Sequence, residues 1–407
     1  MSCREATADD CVTHTQLAAA RPQKSAAFSA WVNELLDPGT GRVHNLRSVE
    51  EVDFTDFLDD IREPGLSNEA RLDAIKNYIP ELREDGIYTG LGYEDEMNRA
   101  LLSVLSALWL LVDDYPSMVD CQKITQRLSQ RTFEFIKEFV GAKRMKDAQL
   151  QAVFILLSLR GLSKNSDFAK LCPPSERRTP EQVLAYATTN LDAYLPSIAN
   201  LRGDAYDILS ATVRMLGAFN FAQMLQGENN PHSIWQLQGA LEEEGEEVFQ
   251  TFLFVQVCLL CGVTGNITLR GSMFLSELNG RSVLKGLACL QDIVGVDPNK
   301  VYWSYIASRA EALELHVQTP SHLVLARLAC LTRSVEPAAL RAIASDWDHL
   351  TDSERDALSE IFLSDGHYDK VRTSPGILMP CSLAQLPFWQ ALDPDEQNDL
   401  ISCAETG

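Results

Sequence analysis

Six positions along this chain carry the local signature of a helix start: Ser48 with Glu51, Thr179-Pro180 with Gln182, Asp297-Pro298, Thr319-Pro320, Thr351 with Glu354, and Asp393-Pro394 with Glu396. At each, an oxygen-bearing side chain is placed to accept from an amide that the first turn leaves unpaired. Proline follows where its missing N–H is not needed, or an acid or amide returns from the third position to the cap. The segments between repeat their apolar residues at helical spacing, and no run of alternating β-branched residues is bounded by Asn-Gly or Asp-Gly turns. The chain reads as all-α. Its helices form a multi-helix array, either a helical-hairpin stack of the HEAT or armadillo kind or a compact α-bundle.

Residues 1–24 are polar and aperiodic and read as an N-terminal arm. Residues 25–366 read as one helical body, with candidate sub-boundaries at the polar stretch 163–179 and the Gly-rich stretch 262–271. Residues 367–407, punctuated by Pro375, Pro380, Pro387 and Pro394, read as a tail that packs on the body. Within the body, Leu101 to Val112 is apolar almost all round, which predicts a central helix. Ala148–Leu159 and Val248–Val263 have the same character. Amphipathic helices are expected after Ser48 and Ser67, over Gln122–Val140, Glu181–Leu195 and Asp204–Leu225. Further starts fall near Ser282, Asp297, Thr319, Glu336 and Thr351. Two helices at that spacing make a unit of about 40 residues, near the period of helical-hairpin repeats.

With 57 acidic and 35 basic residues the formal charge is −22. Such a surface repels nucleic acid and anionic lipid, so neither is expected as a partner. The longest apolar window, Val248–Val263, contains Gln250, Thr251 and Gln256 and is shorter than the roughly 20 residues of a membrane span. The ten cysteines show neither disulfide-framework nor zinc spacing, and Cys258-x-x-Cys261 lies in an apolar helical run that reads as core. These features place the chain in the cytosol. The acidic run Glu242–Glu247 reads as the solvated start of the helix that follows, and Asp346-Trp347-Asp348-His349 reads as a turn before the Thr351 cap.

No Gly-rich phosphate loop, Gly-x-Ser-x-Gly or His-Glu-x-x-His is present. One constellation joins Asp113-Asp114 at the end of the most apolar helix, Arg177-Arg178, and Asn220 with Glu228 eight residues on. The order and placement resemble class I terpene synthases. That resemblance implies an all-helical enzyme in which Asp113, Asp114, Asn220 and Glu228 hold Mg²⁺ against a prenyl diphosphate and Arg177 or Arg178 contacts the diphosphate. The pattern departs from that family at Ser117, where a third acid is expected, and at Met224, which offers no hard oxygen to Mg²⁺. The leading expectation is accordingly a non-catalytic interaction or scaffold protein, without cofactor, that binds another protein through a helical groove. The terpene-synthase-like enzyme is the alternative.

Overall fold

The computed structural model describes residues 53–363, apart from 64, 178, 228–230, 292 and 333. The N-terminal arm, the tail from 367, Ser48, Asp393, Arg178 and Glu228 lie outside the described residues. Within them the chain is all-α and contains no strand.

Fourteen helices of nine or more residues build the body: α1 Phe54–Arg62, α2 Asn68–Tyr78, α3 Glu94–Val112, α4 Gln130–Phe139, α5 Asp147–Leu159, α6 Pro180–Asn190 and α7 Asp204–Ala218. They continue with α8 Pro231–Glu244, α9 Glu246–Gly262, α10 Glu277–Leu290, α11 Pro298–Ala312, α12 Leu323–Leu331, α13 Pro337–His349 and α14 Asp352–Leu363. Several starts use the caps written in the sequence. Thr179 Oγ1 accepts from the Gln182 amide and Gln182 returns to the Thr179 amide, a complete capping box. Asp297 accepts from the Asn299 amide, and Thr351 and Glu354 exchange bonds at the start of α14. Each such cap is worth about 1 kcal/mol. At α1 the cap is Asp53, which accepts from the Thr55 amide.

The core forms around α3 and α9. Residues 100–110 of α3 are buried on every side, and α9 is buried along nearly its whole length, as apolarity without a polar face requires. The two helices run antiparallel in close contact, and Arg99 Nε donates to the Val263 carbonyl 164 residues away at 3.1 Å. Two glycines set that approach. A Cβ at Gly262 would lie 1.9 Å from Ser103 Oγ, and one at Gly265 would lie 2.3 Å from the Asn98 carbonyl oxygen. α5 packs on both central helices, and α7 packs on α5, α6, α8 and α9. Of the two expected arrangements, this part is the compact bundle, because its principal contacts join helices distant in sequence.

From α10 onward the pattern changes. α10 still reaches back to α4 and α11 to α8, while α11 and α13 pack on α12, and α14 packs on α12 rather than on its chain neighbour α13.

Five expected elements differ, among them the helix foreseen over Glu181–Leu195, which ends at Asn190. The helix foreseen over Gln122–Val140 begins only at Gln130, and the one near Ser282 begins at Glu277 after Ser276. The helix foreseen over Asp204–Leu225 stops at Ala218, since Phe219 is extended (φ −148°, ψ 135°) and Asn220 caps a new short turn, Phe221–Leu225. Residues 346–349 are not a turn but the last helical residues of α13, held there because Trp347 continues the buried stripe of Leu340 and Ile343. The stretch 262–271 forms successive turns.

Polar groups also tie distant segments together. Glu81 is fully buried, and its Oε1 accepts from the Ser197 amide at 3.0 Å and from Ser197 Oγ at 2.7 Å. Burial pushes this carboxyl above its ordinary pKa, against the pull of those bonds. Gln122 Nε2 likewise gathers the carbonyls of Ser272 and Leu275.

Candidate functional site

The acids at the end of α3 are committed to the fold. Asp113 is the C-cap of α3 in the left-handed region (φ 67°), uncommon for a residue with a side chain. A carboxylate there opposes the negative helix end, and two lysines offset this. Lys137 from α4 pairs with Oδ1, and Lys143 pairs with Oδ2 at 2.9 Å. The hydrogen bonds from Lys137 and Lys143 hold the Asp113 carboxyl below the usual range.

Asp114 faces another way. Its Oδ2 meets the buried guanidinium of Arg71 at 2.7 Å and the Ser117 hydroxyl at 2.9 Å, while Oδ1 caps the next turn through the Ser117 amide. Burial alone would raise this carboxyl, but Arg71 and Ser117 outweigh it and the net shift is downward. Ser117, which stands where the terpene-synthase pattern wants an acid, thus serves Asp114.

Asn220 is exposed, and its Oδ1 accepts from the Gln223 amide as a cap. Met224 is buried in the core, and Arg177 is exposed on the loop before α6. Asn220 heads a separate short turn, Phe221–Leu225. Cationic side chains occupy the oxygens that Mg²⁺ would need, and among the described residues no cluster of three or more His, Cys, Asp or Glu gathers at metal-holding distance. Of the six expected site residues, Arg178 and Glu228 lie outside the described residues, and the carboxylates of Asp113 and Asp114 are engaged by Lys137, Lys143 and Arg71.

Cys258 and Cys261 are fully buried thiols, and burial pushes Cys261 up to about 12. Burial in the apolar core keeps both thiols protonated at neutral pH, as packed core cysteines are.

A surface groove lies elsewhere, on α7. Residues Asp207, Ser210, Ala211 and Arg214 fall at helical spacing along one face of α7 and form the floor of an open groove of ≈ 530 Å³. Thr189 at the end of α6 bounds it on one side, and Glu244 and Val248 bound it on the other. That second wall exists because α8 turns directly into α9 at Gly245, whose φ of +86° a side chain would resist. Arg214 spans the groove in a fork onto Glu244, with Nη2 2.9 Å from Oε2. Ser210 Oγ, on the floor, is enclosed with no hydrogen-bond partner among the described residues.

The charged residues that line the groove are Asp207, Glu244 and Arg214. The run Glu242–Glu247 is not a solvated helix start alone. It straddles the α8–α9 junction, with Glu242, Glu243, Glu246 and Glu247 exposed. Asp207 and Asp204 add to the same side from α7. Glu243, Glu244 and Asp207 all act on Arg214, while Lys146 engages Glu247 at 3.0 Å. The sequence carried a signal for this site: a polar stripe at 207, 210 and 214 on an otherwise buried helix, followed by acids at a helix reversal.

The fold and groove define the class: an all-α bundle with an open, acid-framed cleft, in which no described helix is long and apolar enough to cross a membrane. The chain belongs to the family of unknown function DUF6829, which matches residues 88–397. Comparison with curated proteins gives no match, and comparison with solved structures gives none either.

Proposed function

We propose that the protein is a non-catalytic helical interaction protein that binds a basic segment of a partner protein in the groove on α7. The observation that carries this reading is the groove itself. It is open, and its lining carries Asp207 and Glu244 against one cation, Arg214, which Glu244 already engages, so that Asp207 is left for a partner. A lysine- or arginine-bearing helix or strand would supply the missing charge, steered by a chain of net charge −22. The same field disfavours nucleic acid. The described cysteines are free thiols, in keeping with a cytosolic protein.

The test is binding of fluorescent Lys/Arg-rich amphipathic peptides to the full chain, measured by anisotropy at two salt concentrations. Binding is expected to weaken with salt and to fall at least tenfold in Ala211→Trp, which fills the groove. Equal binding by Ala211→Trp and the parent would remove the reading. Mg²⁺ with farnesyl diphosphate, run alongside, is expected to leave the Tm unmoved, whereas stabilisation together with diphosphate release would restore the enzyme alternative.

A further inference from the structure

Glu81 is a carboxyl that the fold encloses without a cation bonded to it. It lies in the turn Pro80–Leu82 and is 0% exposed. Its Oε1 accepts from the Ser197 amide at 3.0 Å and the Ser197 hydroxyl at 2.7 Å, while Oε2 has no hydrogen-bond partner among the described residues. Ionised in this place, the group would carry charge on an oxygen that neither water nor protein solvates.

The surrounding elements offer little relief. Arg83 acts on Glu81 from two residues away, but its Nε and Nη2 are spent on the Lys76 and Asn77 carbonyls at the end of α2, at 2.8 and 2.7 Å. Tyr88, in the short helix Ile87–Gly90, is buried and donates to the Ser158 carbonyl of α5 at 2.6 Å. On α2, Glu69 and Asp73 are exposed, Arg71 is committed to Asp114, Lys76 is half-buried, and Tyr78 takes the Gln151 amide. Asp147, the one titratable side chain of α5, is exposed, and the turn Pro196–Asn200 that carries Ser197 has none. Burial therefore outweighs the two bonds from Ser197, and the carboxyl keeps its proton to higher pH than an ordinary glutamate.

Ser197 sits in the linker that joins two sides of the groove. α6 ends at Asn190, one residue after Thr189 on the rim, and α7 begins at Asp204, three residues before Asp207 on the floor. Residues 191–203 connect them through the turns Asp192–Tyr194 and Pro196–Asn200, and the second of these packs on the turn of Glu81. Tyr206, which also lines the groove, donates to the Thr188 carbonyl at 3.4 Å, a long bond for a hydroxyl. Leu191, Leu195, Ile198 and Leu201 anchor the linker by burial whatever the pH. The tie from Glu81 is the one whose cost changes with a proton.

We propose that Glu81 is a proton-operated latch on the linker between α6 and α7. Protonated, it holds Ser197 and keeps the rim of the groove in place. Ionised, with its proton passed to solvent, it draws water into the site and frees the 196–200 turn, so the groove loosens as pH rises. The opening stands on the enclosure of Glu81, and its effect on a bound segment rests on the function proposed above.

The experiment follows amide hydrogen exchange of the full chain from pH 5 to pH 9 beside Glu81→Gln, which keeps an acceptor at Oε1 and cannot ionise. Comparison at equal pH cancels the intrinsic chemistry of exchange. Protection of residues 195–206 is expected to fall at least tenfold below that of Glu81→Gln as pH rises, while α9 stays equal in the two. Ser197→Ala removes a bond that favours the ionised form, so its loss of protection is expected at higher pH than the parent's, a displacement that a merely structural contact would not give. A parent that tracks Glu81→Gln across the range would overturn the latch. A Ser197→Ala transition at unchanged or lower pH would overturn it independently, should Glu81→Gln fail to fold. Basic-peptide anisotropy, read in parallel, is expected to show affinity falling several-fold with pH in the parent and not in Glu81→Gln. Equal pH dependence in both would overturn the coupling to the groove. Absence of peptide binding at every pH would remove the proposed function, while the exchange difference would still support the latch.

Discussion

The end of α3 and the α8–α9 junction both concentrate acids at a helix terminus, yet they have opposite fates. At α3, Asp113 and Asp114 diverge, and each meets cations delivered by other elements: Lys137 and Lys143 for one, the buried Arg71 for the other. At the junction, Lys146 and Arg214 meet only Glu247 and Glu244, and the remaining glutamates face solvent. Residue type is the same in both places. What separates a carboxylate used by the fold from one offered to a partner is the set of cations the surrounding helices bring to it.

The largest effect should come from breaking the committed end. Arg71→Leu leaves Asp114 without its cation in a half-buried setting and is expected to cost about 2–3 kcal/mol in urea unfolding at neutral pH. A loss below about 0.5 kcal/mol would place Asp114 with the available acids instead.

A smaller effect of defined sign follows from pH. Asp113 and Asp114 both have carboxyl pKa values lowered by folding, so their contribution is complete above the unfolded value of 3.8 and is lost as pH falls through the lower folded values. Asp114→Asn retains the cap but not the charge, and should flatten the acid limb of the stability curve below pH 4. Glu81 runs the other way: its contribution is complete below the unfolded value of 4.5 and is lost as pH rises through the raised folded one. An acid limb unchanged in Asp114→Asn would remove the ion pair with Arg71 as a source of stability.

The smallest change in stability is expected at the junction. Glu243→Gln with Glu246→Gln should alter unfolding by less than about 0.5 kcal/mol, as for exposed charges generally. The same pair should weaken basic-peptide binding several-fold and reduce its salt dependence. A large stability loss without a binding change would invert the contrast between the two regions.

Much of the fold could be read from local chemistry. Thr179, Asp297 and Thr351 cap helices because capping involves only residues within one turn, and α3, α5 and α9 betray their burial by lacking a polar face. What was not legible is non-local. Nothing near Asp113 in sequence announces Lys137 and Lys143, and nothing near Asp114 announces Arg71. Those contacts depend on how α2, Lys137 of α4 and the turn Ala142–Arg144 come to the end of α3, which no local pattern encodes. The groove was half visible as the stripe on α7. Its second wall depends on the reversal at Gly245, where the acid run looked like a single helix start.

The pairing of α3 with α9 has a consequence for how the chain is made. While the first half emerges from the ribosome, the apolar surface of α3 is covered only in part, by α2 and α5, because the helix that completes its cover is encoded more than a hundred residues later. Contacts of such separation form late and leave a sticky intermediate exposed in the meantime. Synthesis of this protein therefore includes an interval in which α3 needs shelter from aggregation, one that closes only when Gly262 and Gly265 have emerged and can settle against Ser103 and Asn98.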